Sequence, residues 1–238
     1  MLNIHARDGA PGGGRSAGEL SRDEIVRALE QDIFTATLQP GARIDERALA
    51  LRFGVSRAPV RDAIGRLASL GLIDVKPRSG SYVASLTAGE VLELLEVMSG
   101  IEAMCAYYAA QRLETDEQAE LMRHARKCVE AAETTAEDYV LANVAFHDCV
   151  YRGAKNSQLD RLVRQARQRS GAYRHYSLRV PGRLKRSAVE HMEIAEAICA
   201  GDALASQRLM GAHTNIRKDE FSHFIAAIEA AQPSKTTR

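Results

Sequence analysis

From Thr87 to the end of the chain no strand signal occurs, and every β-like stretch before it lies between residues 72 and 84. This confinement restricts the fold more than any other feature. A chain whose β-character is one hairpin must bury its apolar residues mainly between helices. Residues 72–76 and 81–84 read as two short strands joined by Pro77-Arg78-Ser79-Gly80. Before them, Ser21 and Glu24 form a capping-box signature, followed at helical spacing by Ile25, Leu29, Ile33 and Phe34. That helix is expected to stop before Leu38-Gln39-Pro40-Gly41. A second helix fits 46–53 and ends at Gly54. Ser56 is placed to cap a third, with Pro59 in its first turn and Val60, Ile64, Leu67 and Leu70 on one face. After Thr87 comes an amphipathic helix with Glu90, Glu93 and Glu96 on one stripe, and further helices fit 116–132, 136–153, 157–178, 186–200 and 202–230. The expected fold class is therefore mainly α, a three-helix-plus-hairpin unit followed by an all-helical antiparallel bundle. The boundaries read 1–18 for a Gly-rich mobile arm, 19–86, 87–230, and 231–238 for a flexible tail.

Composition narrows the class. In 238 residues there are 17 Gly, 6 Pro and no Trp, which disfavours an all-β sandwich. No apolar run is long enough to span a membrane and the N-terminus lacks a secretory core, so the expected location is cytoplasmic, with no membrane partner. Cys105, Cys128, Cys149 and Cys199 lie far apart with no C-x-x-C pair, and read as reduced apolar fillers. Gly9 to Ser16 loosely mimics a phosphate loop, but no strand precedes it to hold the backbone amides in place. Net charge is +1, so any basic patch must be local. Residues 21–87 carry ten bases against eight acids, with Arg52, Arg57, Arg61 and Arg66 around the third helix and only Asp62 opposing them there.

Helix, turn, helix and hairpin is the layout of a winged helix-turn-helix. Arg57 and Arg61 are four residues apart and share a face, while Ile64 and Leu67 hold the opposite face to a core. An arginine fork at the front of a helix can read guanine O6 and N7 in the major groove. Arginines on a solvated helix give the same charge pattern, so charge does not separate the two readings. The run from Asp45 to Ile73, with Val55-Ser56-Arg57-Ala58-Pro59-Val60-Arg61-Asp62 at its centre, resembles the DNA-binding domain of GntR-family bacterial transcriptional regulators. The wing Pro77-Arg78-Ser79-Gly80-Ser81-Tyr82-Val83 continues the match. The resemblance implies that Arg47, Arg57 and Arg61 contact double-stranded operator DNA, flanked by Ser56 and Ala58, with Arg78 and Gly80 at the wing tip. Ala58 is smaller than the Thr often found there.

The helical part resembles the FCD ligand-binding domain of the FadR subfamily to about residue 228, on Asn143-Val-Ala-Phe146-His147, Glu190-His191-Met-Glu-Ile-Ala-Glu-Ala-Ile198 and Met210-Gly-Ala-His213. This implies a divalent metal, zinc, nickel or manganese, held by Asn143, His147, His191 and His213. His5, His124, His175 and His223 read as ordinary histidines. Asn143 stands where Asp is usual, which removes one anionic ligand. Met98 stands where an effector-clamping Arg is common. Residues 161–186 hold nine bases and no acid. The bland reading is a solvated face; the sharper one is that Arg169 or Arg174 replaces the missing clamp. The expected function is a homodimeric repressor whose operator binding is set by a small metabolite, an organic acid, bound near the metal. The linker 86–89 would transmit the change, and the protein would sit on the bacterial nucleoid when bound. A metal-only sensor and a helical metallohydrolase are the alternatives. Against the hydrolase, no H-E-x-x-H or G-x-S-x-G occurs, and Glu190 is expected to point away from the histidines.

Overall fold

The computed structural model describes residues 20–177, 180–215 and 225–226, except the side chains of 172 and 174–177. The arm 1–18 with its phosphate-loop mimic, the side chain of Arg174, most of the expected helix beyond Asn215 and the tail 231–238 lie outside the described residues.

Among the described residues the first unit is α1 (Arg22–Phe34), β1 (Arg43–Ile44), α2 (Glu46–Phe53), α3 (Arg57–Ser69), β2 (Ile73–Lys76) and β3 (Gly80–Val83). The capping box starts α1: Glu24 N donates to Ser21 Oγ at 3.3 Å, and Ser21 N to Glu24 Oε2 at 2.6 Å. Asp45 caps α2 by accepting from the amides of Arg47 and Ala48, and Gly54 closes it at φ 65°, a left-handed conformation that glycine adopts without strain. Ser56 occupies the cap position of α3, but its side chain makes no capping bond there.

The sequence reading missed β1. It pairs antiparallel with β3, giving a three-stranded sheet of order β1-β3-β2 rather than a bare hairpin. Two residues between a turn and a helix cap carry no period-2 signal to read. Ile25, Leu29, Val60, Leu67, Ile73 and Val83 bury one core beneath this sheet. Each large aliphatic side chain there stabilises the fold by roughly 1.5–3 kcal/mol relative to exposure. On the other side, Arg52 of α2 grips Asp32 of α1 with both guanidinium arms.

The second unit is α4 (Ala88–Arg112), α5 (Thr115–Ala131), α6 (Ala136–Gly153), α7 (Ser157–Ser177), α8 (Arg183–Cys199) and α9 (Ala203–Thr214). α8 begins three residues earlier than its spacing predicts, after Gly182 at φ 75°. α4 runs through the bundle and packs on α9, α7 and α6. Ala103, Ala106, Ala109 and Ala110 let neighbours approach closely, and Ser99 Oγ donates to Gly211 O of α9 at 3.0 Å. Cys105, Cys128 and Cys149 are buried in this core, and burial pushes the Cys105 and Cys128 thiols up to about 12. The first unit docks on α7: the Leu86 amide donates to the Tyr173 hydroxyl at 2.7 Å, and Phe34 lies over Gly171.

Candidate metal centre and nucleic-acid interface

α6, α8 and α9 each contribute one histidine to the middle of the bundle. His147, His191 and His213 are 0%, 0% and 5% exposed, and one ligand atom from each lies within 4.8 Å of the others. Nε2 of His191 and Nε2 of His213 are 3.1 Å apart. Asn143, one turn before His147 on α6, is buried on the same face.

Two carboxylates fix the rings from outside. The Nδ1 of His213 donates to Glu190 Oε2 at 2.7 Å, and the Nδ1 of His147 stands 3.0 Å from Glu102 Oε2 and 3.3 Å from the Tyr151 hydroxyl. A proton held at Nδ1 leaves the lone pair at Nε2, the form in which imidazole binds a metal. Burial pulls the His213 imidazole below its ordinary 6.5, outweighing the pull of Glu190 the other way. Burial alone would raise Glu190, but its bonds to His213 and Arg183 bring it down to about 2. The pair is therefore a carboxylate against a neutral imidazole. Phe146 stacks on the His191 ring at 4.2 Å.

Each acid is itself held by an arginine. Arg183 Nη1 donates to Glu190 Oε2 at 2.8 Å, and its Nη2 to His213 O at 2.9 Å. Arg167 Nη1 donates to Tyr151 at 2.6 Å and lies 3.3 Å from Glu102 Oε1. Three imidazoles with two outer carboxylates fit a borderline divalent ion such as zinc or nickel, and suit manganese, which prefers oxygen, less well. His147, His191 and His213 would hold that ion. Its chemistry there would be to offer open coordination positions to an oxygen ligand.

The expectation that Glu190 points away from the histidines is overturned. It reaches across from α8 to α9 rather than along its own helix. Arg169 makes its contacts at the domain junction, beside Gly71, and Arg167 is the arginine that comes to the cluster. Met98 is buried at 1% exposure, with Ser170 Oγ 3.2 Å from its sulfur. Sequence reasoning also missed Glu102, Tyr151 and Arg183. Glu102 carried a signal: a lone acid on the face of α4 that also bears Leu95, Met98 and Ala106.

On the first unit, Arg47, Ser56, Arg57, Ala58, Arg61, Arg78 and Gly80 are all exposed. They come from the fronts of α2 and α3 and from the wing. Arg61 Nε donates to Glu46 Oε2 at 2.7 Å, which sets the guanidinium while its outer nitrogens face away from that bond. Arg78 has φ 62°, so the turn into β3 is left-handed at a non-glycine residue, and Gly80 follows at φ 111°. A shallow basin between α2, α3 and the wing is lined by Arg43, Arg47 and Arg57, with Asp45 and Glu46 as its acids and Gly80 and Ser81 from the wing. Arg43 is a cation that sequence reading did not single out. β1 delivers it, with its Nε 3.5 Å from where a Cβ on Gly80 would lie.

Residues 21–83 match the bacterial regulatory proteins of the gntR family, and residues 93–215 match the FCD domain. The HTH-type transcriptional regulator YdhC of Bacillus subtilis is 27% identical over 204 residues, covering 85% of this chain and 91% of that protein. The HTH-type transcriptional repressor GlaR of Escherichia coli is 24% identical over 196 residues, 79% of this chain and 89% of the relative. Among solved structures, Escherichia coli McbR/YncC superposes with a TM-score of 0.73 at 22% identity, over 88% of this chain and 97% of that one. The winged unit and the helical bundle behind it thus share a known fold, and the chain belongs to the gntR family of bacterial transcription regulators, DNA-binding proteins that here carry an FCD domain behind the winged helix-turn-helix.

Proposed function

We propose that the protein is a homodimeric repressor whose hold on operator DNA is set by a small organic acid bound at a divalent metal in the helical domain. The observation that carries the proposal is the convergence of three buried imidazoles from three helices, two of them oriented by carboxylates. A buried polar cluster of this kind is costly unless its groups are satisfied together. An ion among the three converging imidazoles, with a carboxylate ligand completing its shell, would meet that demand. Arg47, Arg57, Arg61, Arg78 and Gly80 would meet the DNA, with Arg57 and Arg61 reading bases and the wing meeting phosphate. Ser56 and Ala58 would lie between them. A cytoplasmic location follows from that role; among the described residues no helix is long and apolar enough to cross a membrane.

A second copy fits α4. Val97 and Met104 are 58% and 42% exposed on this helix, and with Ile101 and Tyr108 they form an apolar stripe at three- and four-residue spacing. The acid would act only through unequal affinity for two arrangements of the dimer's DNA-binding units. Glu190 does not revive a hydrolase: a carboxylate held at about 2 and tied to Arg183 is too weak a base to activate water near neutrality. The test is a mobility shift on the native promoter with metal-loaded, chelated and reconstituted protein, each with and without candidate acids. Release by an acid only in the metal-loaded protein is the expected result. Acid-independent release by metal alone would point to an ion sensor, and indifference to both would remove the regulatory reading.

A further inference from the structure

α1 and α7 do not close on each other along their whole length. Between them lies a cavity of about 360 Å³, bounded also by Val144 of α6 and by Leu72 in the turn after α3. That is the size of a small-molecule site, roughly 300–1,000 Å³ in proteins generally. Phe34, Leu72 and Val144 make its wall apolar, while Arg27 of α1 and Arg167 of α7 bring two guanidinium groups to it. Glu30 is the acid at its edge, and its Oε1 accepts from Gln168 at 3.4 Å. None of the three clustered histidines lines this space.

We propose that this junction cavity is a second ligand site, separate from the histidine cluster, which takes a small amphipathic carboxylate. The lining carries two cations and one acid, and although Glu102 already pairs Arg167, the exposed Arg27 at the rim offers an anion a partner. The apolar wall favours an aliphatic or aromatic body over a compact ion such as phosphate, whose desolvation no ring of donors would offset. Because the walls come from both units, an occupant stabilises the docked arrangement in which α1 lies on α7. Arg167 is shared: the same guanidinium touches Glu102, which orients His147. An anion that draws Arg167 into the cavity leaves Glu102 freer to polarise that imidazole, so carboxylate and metal should each raise the other's affinity. The site itself does not depend on the function proposed above; only its effect on the operator does.

Calorimetric titration of the full chain with hexanoate, decanoate and phenylacetate tests this. Val144→Trp fills the cavity from the edge of α6, Arg27→Leu removes an exposed cation from its rim, and His213→Ala breaks the cluster without touching the cavity. Saturable binding of at least one probe to the wild type is expected, weakened about tenfold or more by V144W and by R27L and kept by H213A. If V144W fails a circular-dichroism folding check, R27L alone decides. Binding that survives R27L and is lost in H213A would put the acid at the histidines and overturn the second site, leaving the proposed function standing. No binding of any probe at millimolar concentration would also overturn it. Metal dependence of operator binding, measured separately by mobility shift, is untouched by either failure.

Discussion

At the scale of single residues the centre depends on protons as much as on ligand atoms. Glu190 is the sharpest case, because its carboxylate holds the hydrogen of His213 at Nδ1. Glu190→Gln keeps the shape but loses the anion, and should weaken zinc or nickel affinity about 10–100-fold with little change in fold. Competition with a chromophoric chelator measures this, and an unchanged constant would mean His213 is not a ligand. The complementary change, Asn143→Asp, restores an anion one turn before His147 and should tighten binding in the same assay. Acidity acts through the same pair. His213 is held below 6.5, so the unfolded chain takes up a proton there before the folded chain does, and stability falls as pH drops below about 6.5. Glu190, about 2 when folded against an ordinary 4.5, adds a second loss from about pH 4.5 downward. The melting temperature of metal-free protein should therefore fall on acidification from about pH 7 to 5, and a rise over that window would contradict the assignment. On the DNA face, Arg57→Ala and Arg61→Ala should each cost about 1–3 kcal/mol of operator affinity, read by fluorescence anisotropy against a scrambled duplex.

Between elements, the decisive contact is the one that seats α1 on α7. A Cβ on Gly171 would stand 2.6 Å from Phe34 Cδ2, so Gly171→Ala must push the ring away. Inside a helix that substitution ordinarily stabilises by up to about 1 kcal/mol. Here overpacking opposes it, and a net loss of about 1–3 kcal/mol is expected in chemical denaturation. Phe34→Ala in the same chain should return much of that loss, and simple additivity of the two changes would show that the helices do not meet there. These contacts also mark where sequence reading stopped. The capping box at Ser21, the arginines of α3 and the wing were legible because their physics is local, spelled within four residues of one another. The three histidines were legible through resemblance. The groups that support them were not, because Glu102, Glu190, Arg167 and Arg183 sit on three helices and meet only after the bundle packs. β1 was lost for a different reason: two residues are too few to show a period. Arg167 and Arg169 illustrate the limit, since two positions along α7 turn one arginine toward the histidines and the other toward Gly71.

For the whole molecule, charge sets a limit on what one copy can do. The DNA-binding unit carries only two more bases than acids, and Arg61, Arg66 and Arg52 are each paired with an acid of the same unit. Affinity for DNA rises with the number of phosphates neutralised, so so few uncompensated cations give a single unit only a weak grip. Two units joined by a rigid bundle bind as one ligand, because once the first is seated the second is held at high local concentration. The apolar stripe of α4 is the surface that could join them, and placing a charge in it tests the idea without touching the histidines or the DNA face. Val97→Glu together with Met104→Glu would bury two carboxylates in such an interface, a cost large enough to split it. Light scattering should then report a monomer, and affinity for the full operator should fall at least a hundredfold, while binding to an isolated half-site stays the same. A dimer that survives both substitutions would move the interface to another face of the bundle. If half-site affinity fell as well, the substitutions would have damaged the DNA-binding unit through the bundle behind it, and the stripe would be a structural support rather than a contact between copies.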